Sequence, residues 1–365
     1  MTVARTFALG TVVALAVAVV VVPRVAGRDA ACGVPSQQEA RAWPEGCWRP
    51  YADDSPFNRP IPARPRLDPR SSAIVREITS SPPGAIDAGL HETEQDWGRP
   101  LYVSRPDDPV FRVHCTRAWG TCALEGTRIR VPDDAEPAGG RDAHLTVVDP
   151  ASGWEYDLWK VAYKQPGGGE LTAAWGGRTR IDGDGLGSDA VASAFGTLAG
   201  LIRPEELEAG RIRHALFMTV PCVAAVDRDD DVYPAIGNAR RCTDGQDAPL
   251  LGARVQLAMT PAEIDALEVA PWTRTLLRAM AEYGMFVGDT GGPAGWSVQI
   301  QSDTSYTSMG GEPRLERFAA RAGWRRYVDD DLDRVVYVGD FAPGVDWRSR
   351  LRVVDPCVTA GTCAG

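Results

Sequence analysis

The sequence predicts an all-β dominated protein, a two-sheet β-sandwich of jelly-roll type with a few peripheral helices. Short runs rich in β-branched and aromatic residues recur along the chain. Gly, Pro and Asp separate these runs at intervals typical of all-β architecture, and helical patterns are few. No self-similar unit of roughly 20 to 50 residues recurs, which excludes solenoids and propellers. Strands of this number and length favour two packed sheets.

Each predicted element has its own boundary signals. The predicted strands span 101–104, 110–115, 127–131, 144–149, 153–163, 171–175, 214–220, 254–258, 285–289, 296–301 and 335–338. Helices are predicted at 71–78, 204–209, 272–283 and 313–321. Thr260 and Glu263 form a capping box, with Pro261 at the first position of one more helix. Gly210 and Gly284 are the expected C-terminal stops of the helices that precede them.

The N-terminus has the layout of a secretory signal peptide. Arg5 precedes an apolar run at 7–22, and Pro23 and small residues follow. The run is shorter than the roughly 20 residues that span a bilayer comfortably. We therefore expect 1–31 to be a cleaved signal peptide, with a retained N-terminal anchor as the alternative. Residues 32–365 are then a single secreted β-sandwich domain that acts as a monomer.

Cysteine usage agrees with export. All eight cysteines follow the apolar run, and an even number in an oxidising compartment indicates disulfides. The spacing favours pairing of neighbours, which would staple loops and both ends of the domain. The expected pairs are Cys32–Cys47, Cys115–Cys122, Cys222–Cys242 and Cys357–Cys363. Paired CxxC motifs and His at ligand spacing are missing from the sequence, so no metal or other cofactor is expected.

Charge and missing motifs exclude several functions. The chain carries 39 basic and 49 acidic residues, and a net charge of −10 disfavours nucleic acid and acidic membranes as partners. The sequence contains no G-x-S-x-G elbow, P-loop, dinucleotide fingerprint or HExxH motif. With all cysteines expected in disulfides, a thiol nucleophile is also disfavoured.

The hairpin at 144–164 concentrates the most unusual chemistry. Alternation along the second strand predicts that Glu155, Asp157 and Trp159 share one face. Such a face resembles the groove of a carbohydrate-active β-sandwich, where carboxylates move protons and an indole stacks on a sugar. Positions i and i+2 lie about 6.5 to 7 Å apart, which suits either glycosidase spacing. We predict Glu155 and Asp157 as acid and base and Trp159 as a sugar contact.

Two other strands display polar side chains. Burial of Ile129 implies that Arg128 and Arg130 face away from the core, and the apolar positions of 296–300 imply the same for Gln299 and Gln301. In one sheet with the hairpin, these four would surround the indole with donors and acceptors for a polyhydroxylated ligand. An ordinary solvated sheet face is the alternative for each strand.

Histidines offer a second mechanism. His144 opens a predicted strand, and His214 follows a predicted helix. A histidine with a Tyr or Arg could abstract the C5 proton of a uronate, as in a polysaccharide lyase. A buried, hydrogen-bonded structural role is the alternative for His214. Asp289 ends a strand before glycines, where it either meets a ligand or caps its own loop.

Several motifs together carry a family resemblance. They are DDSPFN (53–58), HLTVVDP (144–150), E-x-D-x-W (155–159), AGLIRPEELEAGRIRHAL (199–216) and EYGMFVGDTGG (282–292). Their order and wording resemble an exported bacterial protein family of unassigned activity, over most of the mature chain. The resemblance implies export and supplies no catalytic residues. E-x-D is also similar to part of the motif of jelly-roll endoglucanases of the laminarinase type, whose third carboxylate is missing here.

The expected function is that of a secreted carbohydrate-active enzyme, a glycoside hydrolase, that cleaves a polysaccharide. A polysaccharide lyase and a non-catalytic protein that binds cell-envelope glycan are the alternatives. The expected partner is a polysaccharide or an envelope glycan, with no membrane contact after the signal peptide is removed.

Overall fold

The structure is a computed structural model. It describes residues 48–80, 98–188, 190–224, 231–237, 239, 241–243, 245, 247–291, 295–329, 334–341 and 343–363. For 327–329 and 334–336 it describes the backbone alone. The expected leader 1–31 and the expected pair Cys32–Cys47 lie outside the described residues.

Strands contain more of the described residues than helices do, as the sequence predicts. The strands are β1 (Leu101–Val103), β2 (Val110–Cys115), β3 (Arg128–Arg130), β4 (Leu145–Asp149), β5 (Trp154–Lys164), β6 (Gly169–Arg180), β7 (Leu216–Val220), β8 (Arg254–Leu257), β9 (Met285–Thr290), β10 (Ser297–Val298), β11 (Arg325–Asp329), β12 (Arg334–Val338) and β13 (Leu351–Val354). The helices are α1 (Ser71–Ile78), α2 (Pro204–Ala209), α3 (Pro261–Asp265), α4 (Pro271–Glu282), α5 (Thr304–Thr307), α6 (Arg314–Arg321), α7 (Trp347–Arg350) and α8 (Pro356–Ala360).

Two mixed sheets form the body of the fold. The first has the strand order β1-β4-β5-β6-β2-β3, with β1 parallel to β4 and β2 parallel to β6. The second has the order β10-β7-β9-β8-β13, with β7 parallel to β9. β11 and β12 pair as a separate antiparallel hairpin. A jelly roll is built from antiparallel strands, so these parallel pairs leave the jelly-roll topology unconfirmed, although a sheet-rich fold is confirmed.

Apolar side chains form two core clusters. The smaller cluster lies on the six-stranded sheet and includes Phe111, Val147, Tyr156 and Leu158. The larger cluster takes in the five-stranded sheet and the apolar face of α4. Because Tyr156 and Leu158 belong to the smaller cluster, the alternate residues of β5 face the opposite side of the sheet.

The helix termini follow local rules. Thr260 accepts a hydrogen bond from the backbone N–H of Glu263, and Glu263 reaches back to the N–H of Thr260, which completes the capping box. Gly210 follows α2 with φ 68°, and Gly284 follows α4 with φ 75°. Only glycine takes such left-handed values at little cost, so both helices end where the sequence predicts.

Strand boundaries differ from the expectation where long-range contacts decide them. β6 continues to Arg180, beyond the predicted end at 175, because its second half pairs with the first half of β5. β11 and β13 are strands that the sequence pattern did not indicate. β13 exists because it pairs with β8 along its whole length, which no local signal encodes.

Three predicted disulfides are confirmed, Cys115–Cys122, Cys222–Cys242 and Cys357–Cys363. They indicate an extracellular or otherwise oxidising compartment. Within the described part of the chain, no helix combines the length and the apolar character needed to cross a bilayer.

Candidate functional site

Glu155 and Asp157 lie side by side on the same face of β5, as alternation predicts. Asp157 pairs across the sheet with Thr146 of β4, and Glu155 pairs with Val148. The two carboxyl groups are also hydrogen-bonded to each other. The strand therefore assembles the carboxyl pair (Glu155 and Asp157) from local geometry alone.

Both members of the carboxyl pair are surrounded by donors. The Tyr51 hydroxyl donates to Oε2 of Glu155 at 2.6 Å, and the backbone N–H of Leu198 donates to Oε1 at 2.9 Å. The Thr146 hydroxyl donates to Oδ1 of Asp157 at 2.8 Å. The N–H of Thr197 donates to Oδ2 at 3.3 Å. A buried carboxyl group requires such partners, because an unsatisfied one costs about 1 to 3 kcal/mol.

The segment 193–200 covers the carboxyl pair. A Cβ at Gly196 would lie 2.1 Å from the Tyr51 hydroxyl and 3.0 Å from Oε2 of Glu155. Glycine at this position is therefore required for close approach. Glu155 and Asp157 are both 0 % exposed. A polysaccharide cannot contact either group while this segment is in place.

Burial sets the protonation of the pair. It raises the pKa of Glu155 well above its ordinary value, and the neighbouring charge of Asp157 raises it further. Burial also raises the pKa of Asp157, although hydrogen bonds from Thr146, Thr197 and Ser188 oppose the shift. Two adjacent carboxylates in a dry site cannot both ionise readily, which favours one shared proton in the pair.

Trp159, two residues further along β5, is half-buried and packs against the smaller core cluster that contains Tyr156 and Leu158, although alternation predicts that it shares the face of the carboxyl pair. Its ring stacks on Trp119 with centroids 5.5 Å apart and an interplanar angle of 28°. Trp119 also packs against Trp175 of β6 at 5.7 Å. Trp119 is 63 % exposed and lies in the loop closed by Cys115–Cys122. We call Trp119, Trp159 and Trp175 the aromatic platform.

Two cations flank the aromatic platform. The Lys160 ammonium lies 4.6 Å from the centroid of the Trp159 ring, and the Arg117 guanidinium lies 5.4 Å from the centroid of Trp119. Lys160 has φ 53°, so the backbone turns at this residue and directs its side chain over the neighbouring indole. On the other side, the Trp159 indole N–H donates to Oδ1 of Asp142 at 3.1 Å.

A second polar group lies where the two sheets meet. Arg99, just before β1, forms an isolated bridge with Gln301 just after β10. The Arg99 guanidinium lies 2.8 Å from Nδ1 and 3.0 Å from Nε2 of His144, and its Nε donates to Oε1 of Gln299 at 2.7 Å. With Asp289 these residues form what we call the sheet-junction cluster (Arg99, His144, Asp289 and Gln299).

The cluster holds His144 as a neutral base. Burial lowers the pKa of His144 well below its ordinary value, and the adjacent Arg99 charge lowers it further. The imidazole is therefore unprotonated at neutral pH with its lone pair turned to the Arg99 guanidinium, and it can accept a proton only when a substrate displaces that contact.

Asp289 is half-buried and connects the cluster to the platform side. Burial raises its pKa, against hydrogen bonds that include the N–H of Thr290 at 2.7 Å. The positive charge of Arg99 lowers the pKa of Asp289, and the negative charge of Asp142 raises it. Asp142 binds the Trp159 indole and stands two residues before His144, so the segment 142–144 links the aromatic platform to the sheet-junction cluster.

Gln301 belongs to the same junction but faces inward. It is 1 % exposed, and its side-chain oxygen has no hydrogen-bond partner among the described residues. The position predicted as a sugar contact is thus beneath the surface. Nearby, where β10 pairs with β7, the Thr219 and Ser297 hydroxyls are hydrogen-bonded to each other at 2.5 Å.

The remaining predicted site residues lie elsewhere. Arg128 and Arg130 are on β3, the edge strand that β6 and β2 separate from β5, so they do not join the platform. Arg130 approaches Asp149 at 4.0 Å instead. β3 belongs to the same sheet as β5, and Ile129 packs in the same cluster as Tyr156 and Leu158, so the assignment of Arg128 and Arg130 as sugar contacts stays a prediction.

His214 lies in a buried ion cluster with Glu206 and Arg203. Its Nε2 is 3.1 Å from Oε1 of Glu206, and its Nδ1 is 2.8 Å from the carbonyl oxygen of Ala215. Burial opposes ionisation of Glu206, but the charges of Arg203 and His214 outweigh it and lower its pKa to about 2. Both ring nitrogens face acceptors, which is the geometry of a structural histidine.

Sequence reasoning missed three residues of the site. Asp142 stands two positions before His144, a spacing that would have placed both on one face. Trp119 is an indole inside a predicted disulfide loop, where a core role is difficult. Arg99 directly precedes Pro100 and a predicted strand, and no local pattern marks its contact with His144.

The described residues contain no group of three His, Cys, Asp or Glu placed to hold a metal ion. No family model matches the sequence, and neither a curated protein nor a solved structure matches the chain.

Proposed function

We propose that this protein is an exported polysaccharide-cleaving enzyme of the lyase type, with its reaction site at the sheet-junction cluster. The observation that carries the proposal is the contact between His144 and Arg99, a guanidinium whose charge also acts on Asp289. It combines a neutral base, a guanidinium and a carboxyl group of raised pKa. The nearby indole surface supports a sugar chain as substrate, and the disulfides support export.

The chemistry is β-elimination at a uronate. His144 takes the proton from C5, while Arg99 and Gln299 stabilise the charge that develops on the sugar carboxylate. Asp289 gives a proton to the glycosidic oxygen as the bond from C4 to that oxygen breaks. A double bond forms between C4 and C5, so each cleavage yields one reducing end and one unsaturated end.

Hydrolysis by Glu155 and Asp157 is less well supported. An acid and a base must touch the glycosidic oxygen and the attacking water, and both carboxyl groups are 0 % exposed beneath the segment 193–200, whereas Arg99, His144 and Gln299 are 3, 7 and 9 % exposed and Asp289 is half-buried. The lyase needs neither residue and does not depend on a jelly-roll topology. Membership of the exported bacterial family suggested by the motifs remains part of this proposal.

The test is a depolymerisation screen of the purified protein against uronate-containing and neutral polysaccharides. New reducing ends and the ultraviolet absorbance of the unsaturated product are recorded together. We expect both signals on a uronate polymer and a loss of at least about 100-fold in His144→Asn. His114→Asn is the matched control. His114 is exposed on β2, and its Nδ1 lies 3.3 Å from Oε1 of Glu125.

Three outcomes would overturn the proposal. Reducing ends without absorbance would indicate hydrolysis. Full activity in a folded His144→Asn protein would remove the base. Absence of cleavage on every glycan would leave a non-catalytic glycan-binding protein.

A further inference from the structure

We propose that the aromatic platform, together with Arg117 and Lys160, is a binding subsite for a uronate unit of a glycan. This subsite lies beside the sheet-junction cluster and holds the chain without taking part in bond cleavage. The inference deepens the proposed function and rests on it for the assignment of a glycan as ligand. The observations behind it are the stacked indoles, the cations Arg117 and Lys160, and the bond from Trp159 to Asp142.

The platform is exposed to solvent at Trp119. Trp119 is 63 % exposed although an indole gains free energy from burial. It is held in place by stacking on Trp159, by contact with Trp175 and by the Cys115–Cys122 loop. A rigid, exposed indole loses little conformational freedom when a ring stacks on it. The platform is thus prepared to bind the apolar face of a pyranose.

The platform carries two positive charges, from Arg117 and Lys160. The whole protein carries −10, yet two cations lie over rings of the platform, Arg117 over Trp119 and Lys160 over Trp159. The chain has lysine only at 160 and 164, both on β5. Across the described ranges, neither Arg117 nor Lys160 forms an ion pair with a carboxylate.

These cations determine the ligand class. A neutral sugar would need the indoles and hydroxyl partners but no unpaired cation. A carboxylate on the sugar gains a charge-assisted hydrogen bond or ion pair from Arg117 or Lys160. Asp142, which accepts the Trp159 indole N–H, repels the same carboxylate, so the acidic group is expected at the cations rather than at Asp142.

The experiment compares binding of matched acidic and neutral ligands by titration calorimetry. The probes are short oligosaccharides from polygalacturonate, alginate and hyaluronan, each paired with its carboxyl-reduced form. His144→Asn is the background, so that cleavage does not consume the ligand. We expect at least one acidic probe to bind at least about tenfold more tightly than its reduced form.

Variants separate the contribution of the rings from that of the charges. Trp119→Ala is expected to lower the affinity for the acidic probe at least about tenfold. The double variant Arg117→Gln with Lys160→Gln is expected to retain binding of the reduced form and to lose the preference for the acid. Tyr163→Ala is the control, because Tyr163 is 50 % exposed on β5 but lies outside the platform.

These binding measurements test the subsite independently of the lyase reaction. Equal affinity for acidic and reduced probes, unchanged binding in Trp119→Ala, or no binding to any probe would overturn the subsite. Platform-dependent binding of an acid, in a protein that cleaves no glycan, would support the subsite and refute the lyase.

Discussion

The two halves of β5 carry similar chemistry but have opposite surroundings. Glu155 and Asp157 in the first half are sealed from solvent, whereas Trp159 and Lys160 in the second half are half-buried. Alternation predicts one face for Glu155, Asp157 and Trp159, but Trp159 packs against the smaller core cluster that contains Tyr156 and Leu158. The difference shows that strand periodicity predicts the face of the carboxyl pair, while packing against other segments decides how exposed each residue of the strand is.

The cover is the segment 193–200, which contacts the first half of β5. It places the backbone of Gly196 against Glu155 and gives the N–H groups of Thr197 and Leu198 to the carboxyl pair. The second half of β5 is contacted by the Cys115–Cys122 loop, which adds an exposed indole. Three predictions test this contrast, in order of decreasing effect.

The largest effect is expected when one carboxyl group is removed. Asp157→Ala leaves the Thr146 hydroxyl and the Thr197 N–H without their partner and creates a cavity, so the free energy of unfolding should fall by about 3 kcal/mol or more. Trp119→Ala in the open half should change it by less than about 0.5 kcal/mol. Urea unfolding measures both, and equal effects of the two variants would contradict the contrast.

A smaller effect is expected from a methyl group added to the cover. Gly196→Ala places a Cβ against the Tyr51 hydroxyl and should lower the free energy of unfolding by about 1 to 3 kcal/mol. Tyr51→Phe removes the hydroxyl that makes the closest contact. The double variant should therefore be more stable than the sum of the single effects predicts. Strict additivity in a double-mutant cycle would show that the cover does not press on Tyr51.

The smallest expected effect is a change in how the free energy of unfolding depends on pH. Because the pKa values of Glu155 and Asp157 are raised in the folded state, their stabilising contribution is complete below the ordinary carboxyl pKa. It is lost as pH rises toward the raised values. Glu206, whose pKa is lowered to about 2, acts in the opposite sense and matters only in acid.

Glu155→Gln removes one titrating member of the pair, so stability should depend less on pH than in the unaltered protein. Unfolding free energies between about pH 5 and about pH 8 give the two slopes. Identical slopes would mean that Glu155 is ionised at neutral pH in the folded protein. Asp289 and Asp303 also have raised pKa values, so only the difference between the two proteins reports on Glu155.

Much of the local structure could be predicted without coordinates. The capping box at Thr260, the stops at Gly210 and Gly284 and three disulfides agree with the structure because each depends on neighbours in sequence. Most strand positions agree for the same reason. β13 could not be predicted, since its pairing with β8 joins segments about 100 residues apart in the chain.

The candidate site divides in the same way. Sequence alone indicates His144, Trp159, Gln299 and Asp289 as residues of interest, because each stands at a strand end or on an alternating face. Their meeting around Arg99 depends on the junction of two sheets, and no short-range pattern encodes it. Likewise, the amino-acid order places Glu155 beside Asp157, but burial depends on a segment about 40 residues away. Adjacency along a strand is local, whereas exposure is a property of the whole packed chain.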